Sequence, residues 1–145
     1  MKVLVTRIKK GKVSVAGKTV DEVGRGLAVF AGIEKTDTDQ VLAKMADKVA
    51  NLRIFADDQG RFHYSVSDLG LQILCISNFT LCADTEKGRR PSFDKAMSQD
   101  KADVLFEKFV SLLCSKKIDA RNGVFGADMD IDLEMDGPVN IVLSV

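Results

Sequence analysis

The sequence predicts one α/β domain spanning residues 1–145, built on a mainly antiparallel, twisted sheet with two main helices. The length falls in the usual range of a single domain and is sufficient to bury a sizeable apolar core. Short β-rich runs separated by glycines fill the first third of the chain, and strand-like alternation fills the last third. Between them, two segments carry apolar residues at helical spacing.

The first third is predicted to form short antiparallel strands. Val3 with Val5, Val13 with Val15, and the run from Leu27 to Ile33 are rich in residues that favour strands. These runs are separated by Gly11, Gly17, Gly24 and Gly26. We interpret Gly24-Arg25-Gly26 as a strand connection, because it lacks the third glycine and the following helix of a dinucleotide-binding loop.

Two helices are predicted, each with one buried stripe. Thr36 or Asp37 can cap the first helix, whose apolar positions are Val41, Leu42, Met45, Val49 and Leu52. Ser98 or Asp100 can open the second, whose expected core face is Leu105, Phe109, Leu112 and Leu113.

The middle of the chain predicts a hairpin, a central strand and a loop. The turn residues Asp57 to Gly60 separate two short strand-like runs, which indicates a hairpin. The run from Leu71 to Ser77 is apolar on both faces, so we expect it in the centre of the sheet. Residues 82 to 97 show no periodicity and are predicted to be a long loop, of the kind that is often functional.

Strand alternation is clearest near the carboxyl end, where four apolar residues from Met129 to Met135 alternate with four acidic ones. The acidic residues are Asp128, Asp130, Asp132 and Glu134. A divalent ion could bind such a row, but a solvated sheet face is the favoured interpretation. Asp136-Gly137-Pro138 then interrupts the alternation, which resumes at Val139.

Composition narrows the function. The 21 basic and 21 acidic residues balance, which argues against a protein that coats nucleic acid by charge alone, so no DNA partner is expected and any RNA contact must be local. Two basic clusters could make them: Arg7, Lys9, Lys10 and Lys12, and the loop residues Lys87, Arg89 and Arg90. The sequence contains no apolar run of a secretory signal or a membrane span, so a soluble, cytoplasmic protein is expected.

The usual catalytic and metal-binding sets are missing. Cys75, Cys82 and Cys114 form no CxxC pair, and with His63 alone they cannot supply a usual zinc set. The chain also has no GxxxxGK[ST] motif, and no cofactor is expected. His63 lies in the predicted hairpin, where a surface role is expected rather than a triad base. This leaves either a non-enzyme or chemistry carried by backbone groups and by the substrate.

Two motifs resemble the D-aminoacyl-tRNA deacylase family: Ser77-Asn78-Phe79-Thr80-Leu81 and Asp136-Gly137-Pro138-Val139. The resemblance continues, in order, through most of the chain. It includes Arg7, Gly24 to Leu27, Asn51 to Phe55, Lys87-Gly88 with Arg90 to Phe93, and Phe125 to Met129. It implies a compact, barrel-like α/β homodimer that hydrolyses D-aminoacyl-tRNA at the 3′ end, in proofreading, and also glycyl-tRNA mischarged on tRNA(Ala).

The resemblance also implies site residues. Gly137 and Pro138, joined by a cis bond, would reach into the partner's pocket, where Cβ-free backbone excludes an L side chain. Arg7 would fix this segment, and Met129 would lie near the pocket. Lys87, Arg89 and Arg90 are expected to contact tRNA phosphates, with a solvated loop as the alternative.

Ser77, Asn78, Phe79 and Thr80 form the implied catalytic segment. From the residues alone, the hydroxyls and the amide of this strand end predict caps and turn hydrogen bonds. With the resemblance, the N–H groups of Phe79 and Thr80 become candidate donors to the ester oxyanion. Either Thr80 or the 2′-hydroxyl of the tRNA could assist attack, and the missing base favours the 2′-hydroxyl.

Four positions depart from the family pattern: Asn78 replaces glutamine, Asn140 threonine, Met135 asparagine and Thr6 glutamine. Two alternative hypotheses therefore accompany the deacylase prediction. One is a related deacylase with shifted amino-acid specificity. The other is a non-catalytic RNA-binding or partner-binding domain of the same fold.

Overall fold

The structure, a computed structural model, describes residues 1–145 as eight strands, two α-helices and one 3-10 turn. The strands are β1 (Lys2–Val15), β2 (Lys18–Val23), β3 (Gly26–Gly32), β4 (Phe55–Ala56), β5 (Phe62–Tyr64), β6 (Gln72–Ser77), β7 (Ala120–Asn122) and β8 (Asp130–Ser144). The helices are α1 (Asp39–Asn51) and α2 (Gln99–Ser115), and the 3-10 turn is Phe79–Cys82.

The longest strands, β1 and β8, pair with each other along most of their length. β1 pairs with β3 along its first half and with β2 along its second half, while β8 pairs with its other edge. The sequence predicted two separate runs with a break at Gly11, which is wrong. Gly11 lies within β1, where close packing rather than a turn accounts for the glycine. A Cβ there would lie 2.9 Å from the Leu133 side chain and 3.0 Å from that of Ile8.

The sheet is mainly antiparallel, as predicted, because β1 pairs in this way with β2, β3 and β8, but its other end is parallel. In the order β2-β1-β3-β6-β7, the pairs β3/β6 and β6/β7 are parallel. A helix lies in each of the connections that precede β6 and β7, and such a crossover returns the chain in the same direction. A salt bridge of 3.1 Å from Arg121 on β7 to Asp21 on β2 joins the two ends, so the sheet curls into a nearly closed barrel.

The helices pack together and cover the main core. α1 buries Leu42, Met45 and Val49, as predicted, but it begins after Thr38 rather than after Thr36 or Asp37. Asp37 is used elsewhere: its carboxylate accepts hydrogen bonds from the Met1 ammonium and from the Glu34 N–H.

The second helix, α2, begins after Ser98, one of the two predicted positions. Its predicted face is partly wrong, because Phe106 is buried whereas Leu105 and Leu112 are only partly covered. Phe109 and Leu113 are buried as predicted. Neither helix is long and apolar enough to cross a membrane.

Other predicted elements are confirmed. β6 lies between β3 and β7, so the run ending at Ser77 is an internal strand. β4 and β5 form the predicted hairpin, and Gly60 in its turn has a φ of +78°. Residues 83 to 97 contain no helix or strand, apart from isolated bridges.

Candidate active site

A cavity of about 450 Å³ lies where β6 ends. One wall is the strand end Ser77 to Phe79, and the opposite wall is the segment Phe125 to Met129. Apolar residues dominate the lining. The remaining lining residues are Ala31, Ile33, Ala96, Met97, Gln99 and Ala102. The resemblance placed Met129 near the pocket, and Met129 does line this cavity.

The strand end is shaped by Asn78, which caps the 3-10 turn. Its Oδ1 accepts hydrogen bonds from the Thr80 N–H at 3.2 Å and from the Thr80 hydroxyl at 2.5 Å. These are the local cap bonds that the residues alone predict. The Thr80 N–H therefore has an acceptor within the chain. The Phe79 N–H stands first in the turn, where no intrahelical acceptor exists.

Nucleophilic side chains near the cavity are not activated. The Thr80 hydroxyl is bonded to an amide oxygen, which is not a base. Burial raises the pKa of the Cys82 thiol, in the same 3-10 turn, and that of the Cys75 thiol on β6. His63 lies on β5, edge-on to Tyr64, and does not line the cavity. The site therefore presents backbone groups and apolar surface rather than an activated side chain.

Arg7 on β1 fixes the backbone next to Gly137 and Pro138. Its Nε donates to the Asp136 carbonyl at 2.9 Å and lies 3.1 Å from the Asp136 carboxylate. One of its terminal nitrogens donates to the Ile54 carbonyl at 2.5 Å, and its guanidinium lies over the Phe62 ring. Arg7 is only 14% exposed, so these contacts are largely shielded from water.

The Gly137-Pro138 peptide bond is cis, the state that the resemblance implies. Both residues are exposed, and neither lines the cavity of its own chain. Within one chain, the structure thus separates the two motifs that the resemblance assigns to a single site. Thr80 and Arg7 are likewise outside the cavity lining.

Two of the four departures from the family pattern contact each other. Thr6 on β1 lies opposite Asn140 on β8, and its hydroxyl donates to the Asn140 Oδ1 at 2.7 Å. The family pattern has a carboxamide at position 6 and a hydroxyl at position 140, so this chain exchanges the two groups between the strands. In this chain, a hydrogen bond from the hydroxyl on β1 to the carboxamide on β8 joins the two strands beside Pro138.

The basic residues Lys87, Arg89 and Arg90 lie at the tip of a loop with a closed base, which we call the basic finger (residues 84–95). Asp84 and Ser92 exchange two backbone hydrogen bonds of 2.8 and 2.9 Å. Lys95 lies 2.8 Å from the Asp84 carboxylate, and this contact lowers the pKa of Asp84 and raises that of Lys95. The three tip residues are exposed and form no salt bridge with the chain's own carboxylates.

The lysines of the other predicted basic cluster form salt bridges with carboxylates of the chain. Lys12 lies 3.1 Å from Asp132, and Lys10 lies 3.2 Å from Glu134, whose pKa it lowers. Lys9 also reaches Glu134, at 3.6 Å. The acidic row on β8 is therefore partly a set of cross-strand ion pairs rather than a purely solvated face. Of the two basic clusters, only the basic finger keeps its cations unpaired.

Comparison with known proteins decides the family. The model of the D-Tyr-tRNA(Tyr) deacylase family matches residues 4–144, which is nearly the whole chain. The chain belongs to this deacylase family. The resemblance seen in the sequence is confirmed, and with it the prediction of an enzyme that hydrolyses aminoacyl-tRNA esters.

Individual relatives agree with this membership of the deacylase family. The D-aminoacyl-tRNA deacylase of Carboxydothermus hydrogenoformans is 42% identical over 145 residues, covering 100% of both chains. That of Aquifex aeolicus is 44% identical over 143 residues, covering 99% of this chain and 97% of the relative.

Solved structures share the fold. A c-Myc DNA unwinding element binding protein is 36% identical, with a TM-score of 0.94 over 100% of this chain and 99% of that one. A probable eukaryotic D-amino acid tRNA deacylase is 17% identical, with a TM-score of 0.86 over 99% and 98% of the two chains, which supports the fold alone.

Part of this deacylase cavity could not be found from the sequence. Ile33 and Met97 meet because the Met97 N–H donates to the Ile33 carbonyl at 3.0 Å, a contact across 64 positions. Gln99, in the first turn of α2, packs against Gly126, where an added Cβ would lie 2.8 Å from the Gln99 amide nitrogen. No pattern in the sequence near these residues predicts either contact.

Proposed function

We propose that this protein hydrolyses the ester of D-aminoacyl-tRNA to a D-amino acid and tRNA, and thereby proofreads translation. Glycyl-tRNA mischarged on tRNA(Ala) is a second proposed substrate, because glycine has no side chain for a steric filter to reject. The observation that carries the proposal is the cavity between Ser77–Phe79 and Phe125–Met129, in a member of the deacylase family.

Chiral selection is assigned to the backbone of Gly137 and Pro138, acting from a partner subunit. Three observations support this part of the proposal: the motif is exposed, it lies outside its own cavity, and Arg7 fixes the backbone beside it. The outer edge of β8 is unpaired, and Val142 on this strand is 70% exposed, as a two-fold interface with a second copy requires. A backbone wall then excludes an L side chain by collision.

The reaction needs no ionisable catalyst from the protein. The oxygen of a water molecule adds to the ester carbonyl carbon, and the negative charge on the carbonyl oxygen is stabilised by the Phe79 N–H. The carbonyl then re-forms as the bond from that carbon to the ribose oxygen breaks. One proton of the attacking water passes to the ribose oxygen, and the other is released when the amino acid leaves as its carboxylate. The neighbouring hydroxyl of the terminal ribose assists, because the Thr80 hydroxyl is tied to Asn78 and has no base.

The decisive experiment follows ester loss from matched D- and L-aminoacyl-tRNAs and from glycyl-tRNA with purified protein. We expect rapid loss of the D-ester and the glycyl ester, and loss of the L-ester at its spontaneous rate. Equal rates for the two hands would rule out the chiral filter. RNA binding without ester cleavage would instead support the non-catalytic alternative, and cleavage of the L-ester alone would support shifted specificity.

The basic finger is proposed to bind phosphates of the acceptor arm. Replacing Lys87, Arg89 and Arg90 together by alanine is expected to raise KM about tenfold at physiological salt, with kcat little changed, because phosphate contacts position the substrate. The slope of log KM against log salt should fall by about 2 to 3.

The matched control for the finger variant is Lys44→Ala, which removes an exposed, unpaired lysine on α1. It should leave KM and the salt slope at their wild-type values. A triple variant with wild-type KM and slope would show that the finger does not contact tRNA. Because aminoacyl-tRNA is used where translation occurs, we also propose a cytoplasmic location.

A further inference from the structure

The cavity contains one ionisable side chain, that of Asp128. It is the only acidic or basic residue among the fourteen that line the cavity. Asp128 is exposed and forms no salt bridge or side-chain hydrogen bond within the chain. By contrast, Asp132 and Glu134, farther along the same acidic row, each lie within 3.2 Å of a lysine nitrogen. The cavity thus carries one uncompensated negative charge.

We propose that Asp128 selects substrates with a free α-ammonium group and disfavours N-acylated esters. This inference rests on the proposed function and adds a second specificity to it. An aminoacyl ester carries a positive charge on its α-nitrogen, whereas formylmethionyl and peptidyl esters carry a neutral amide there. The remaining lining residues are uncharged, so Asp128 supplies the only full charge in the cavity that distinguishes the two substrate classes.

Backbone carbonyls cannot provide this distinction on their own. A carbonyl oxygen accepts a hydrogen bond from an amide N–H as well as from an ammonium, so a filter made of backbone selects by shape more than by charge. A carboxylate attracts the ammonium through its full charge and gains little from a neutral amide. Because Asp128 is exposed, water screens its charge, and an effect of about tenfold is expected rather than a larger one.

The proposed role has a cellular purpose that follows from the chemistry. Initiator and peptidyl esters are the intermediates that a tRNA esterase must leave intact, and both lack the ammonium. A shape filter at the α-carbon does not by itself protect every one of them, because a glycyl residue at the end of a peptide has no side chain to exclude. A preference for a charged α-nitrogen disfavours every one of them, whatever the side chain.

The test compares two substrates and three proteins at about pH 6.5, where the ammonium form dominates. The substrates are a D-aminoacyl-tRNA and its N-acetyl derivative, and the proteins are wild type, Asp128→Asn and Asp130→Asn. Asp130 is the matched control, since it is an exposed, unpaired carboxylate of the same row outside the cavity. We expect Asp128→Asn to lower kcat/KM for the free amine about tenfold and to leave that for the N-acetyl ester unchanged.

An unchanged ratio of the two kcat/KM values in Asp128→Asn, or an equal fall in Asp130→Asn, would overturn the inference. Binding of 3′-(D-phenylalanylamino)-3′-deoxyadenosine and of its N-acetyl form gives a second readout that needs no turnover, and the same tenfold change in the affinity ratio is expected. Failure of wild type to cleave the D-ester would count against the proposed function instead. The two failures are therefore distinguishable.

Discussion

Replacing Arg7 by methionine is expected to lower kcat/KM for D-aminoacyl-tRNA about a hundredfold and to reduce discrimination against the L-ester. Methionine keeps much of the apolar stem but removes the bonds to the Asp136 and Ile54 carbonyls. The backbone leading into Gly137 then loses its fixed position. A displacement of about 1 Å in a positioning group costs about this factor. Arg7→Lys should recover little, because one ammonium cannot reproduce the forked geometry.

The control is Arg121→Met, which, like Arg7→Met, removes an arginine that forms salt bridges. Arg121 pairs with the carboxylates of Asp21 and Asp119. It should lower the melting temperature by a few degrees and leave both stereoisomer rates unchanged. Steady-state kinetics and thermal melts of the two variants, side by side, separate loss of positioning from loss of stability. Wild-type selectivity in Arg7→Met would contradict the assigned role.

The same variant can test whether the motif acts across subunits. Phe79→Pro removes the proposed oxyanion donor at a position where a turn tolerates proline. Chains of Arg7→Met and Phe79→Pro, unfolded and refolded together in equal amounts, should recover about a quarter of wild-type activity. About half of the dimers are then mixed, and each mixed dimer has one intact site out of two. No recovery, in mixtures where mixed dimers form, would place both motifs in the same chain's site.

Adding one methyl group at Gly26 is expected to be the most destabilising small change in the protein. A Cβ there would overlap the Gln72 carbonyl oxygen and lie 2.8 Å from its carbonyl carbon, where β3 begins its parallel pairing with β6. Backbone cannot swing away as a side chain can. We expect Gly26→Ala to lower the free energy of unfolding by about 3 kcal/mol and the melting temperature by about 10 °C.

The neighbouring Gly24→Ala provides a matched comparison within the same connection. Its Cβ would meet only the Gln72 side-chain oxygen, at 3.5 Å, which is an ordinary contact. Urea denaturation of both variants should show a large shift in midpoint for Gly26→Ala and a small one for Gly24→Ala. Equal shifts would mean that the strand pair relaxes around the added methyl group.

Elements could be predicted where the residues of the segment itself determine its structure, without help from segments distant in the sequence. The run ending at Ser77 is apolar on both faces, and this is why its internal place in the sheet could be inferred. Asn78 prefers to cap, and it caps. The break predicted at Gly11 was wrong because the sequence does not distinguish a glycine that ends a strand from one that allows other side chains to pack closely. Only the position of Leu133 distinguishes them.

The rest depended on contacts between distant segments. β7 consists of Ala120, Arg121 and Asn122, a triplet with no strand pattern, and it is fixed by its pairing with β6. Ile33 and Met97, which complete the lining of the cavity, are brought together by the hydrogen bond from the Met97 N–H to the Ile33 carbonyl. The motifs were recognisable from the sequence, but the location of Asp128 as the one charge in the cavity was not, because an acidic row looks the same whichever member faces a cavity.

The hydrogen bond between Thr6 and Asn140 couples two positions on neighbouring strands beside Pro138. The two side chains lie opposite each other on β1 and β8, and a hydroxyl and a carboxamide meet there at 2.7 Å. A change of either residue alone leaves a polar group without this partner, whereas an exchange of the two groups between the strands keeps one of each in the pair. The effect of a substitution at position 6 on the backbone around Pro138 therefore depends on the residue at position 140.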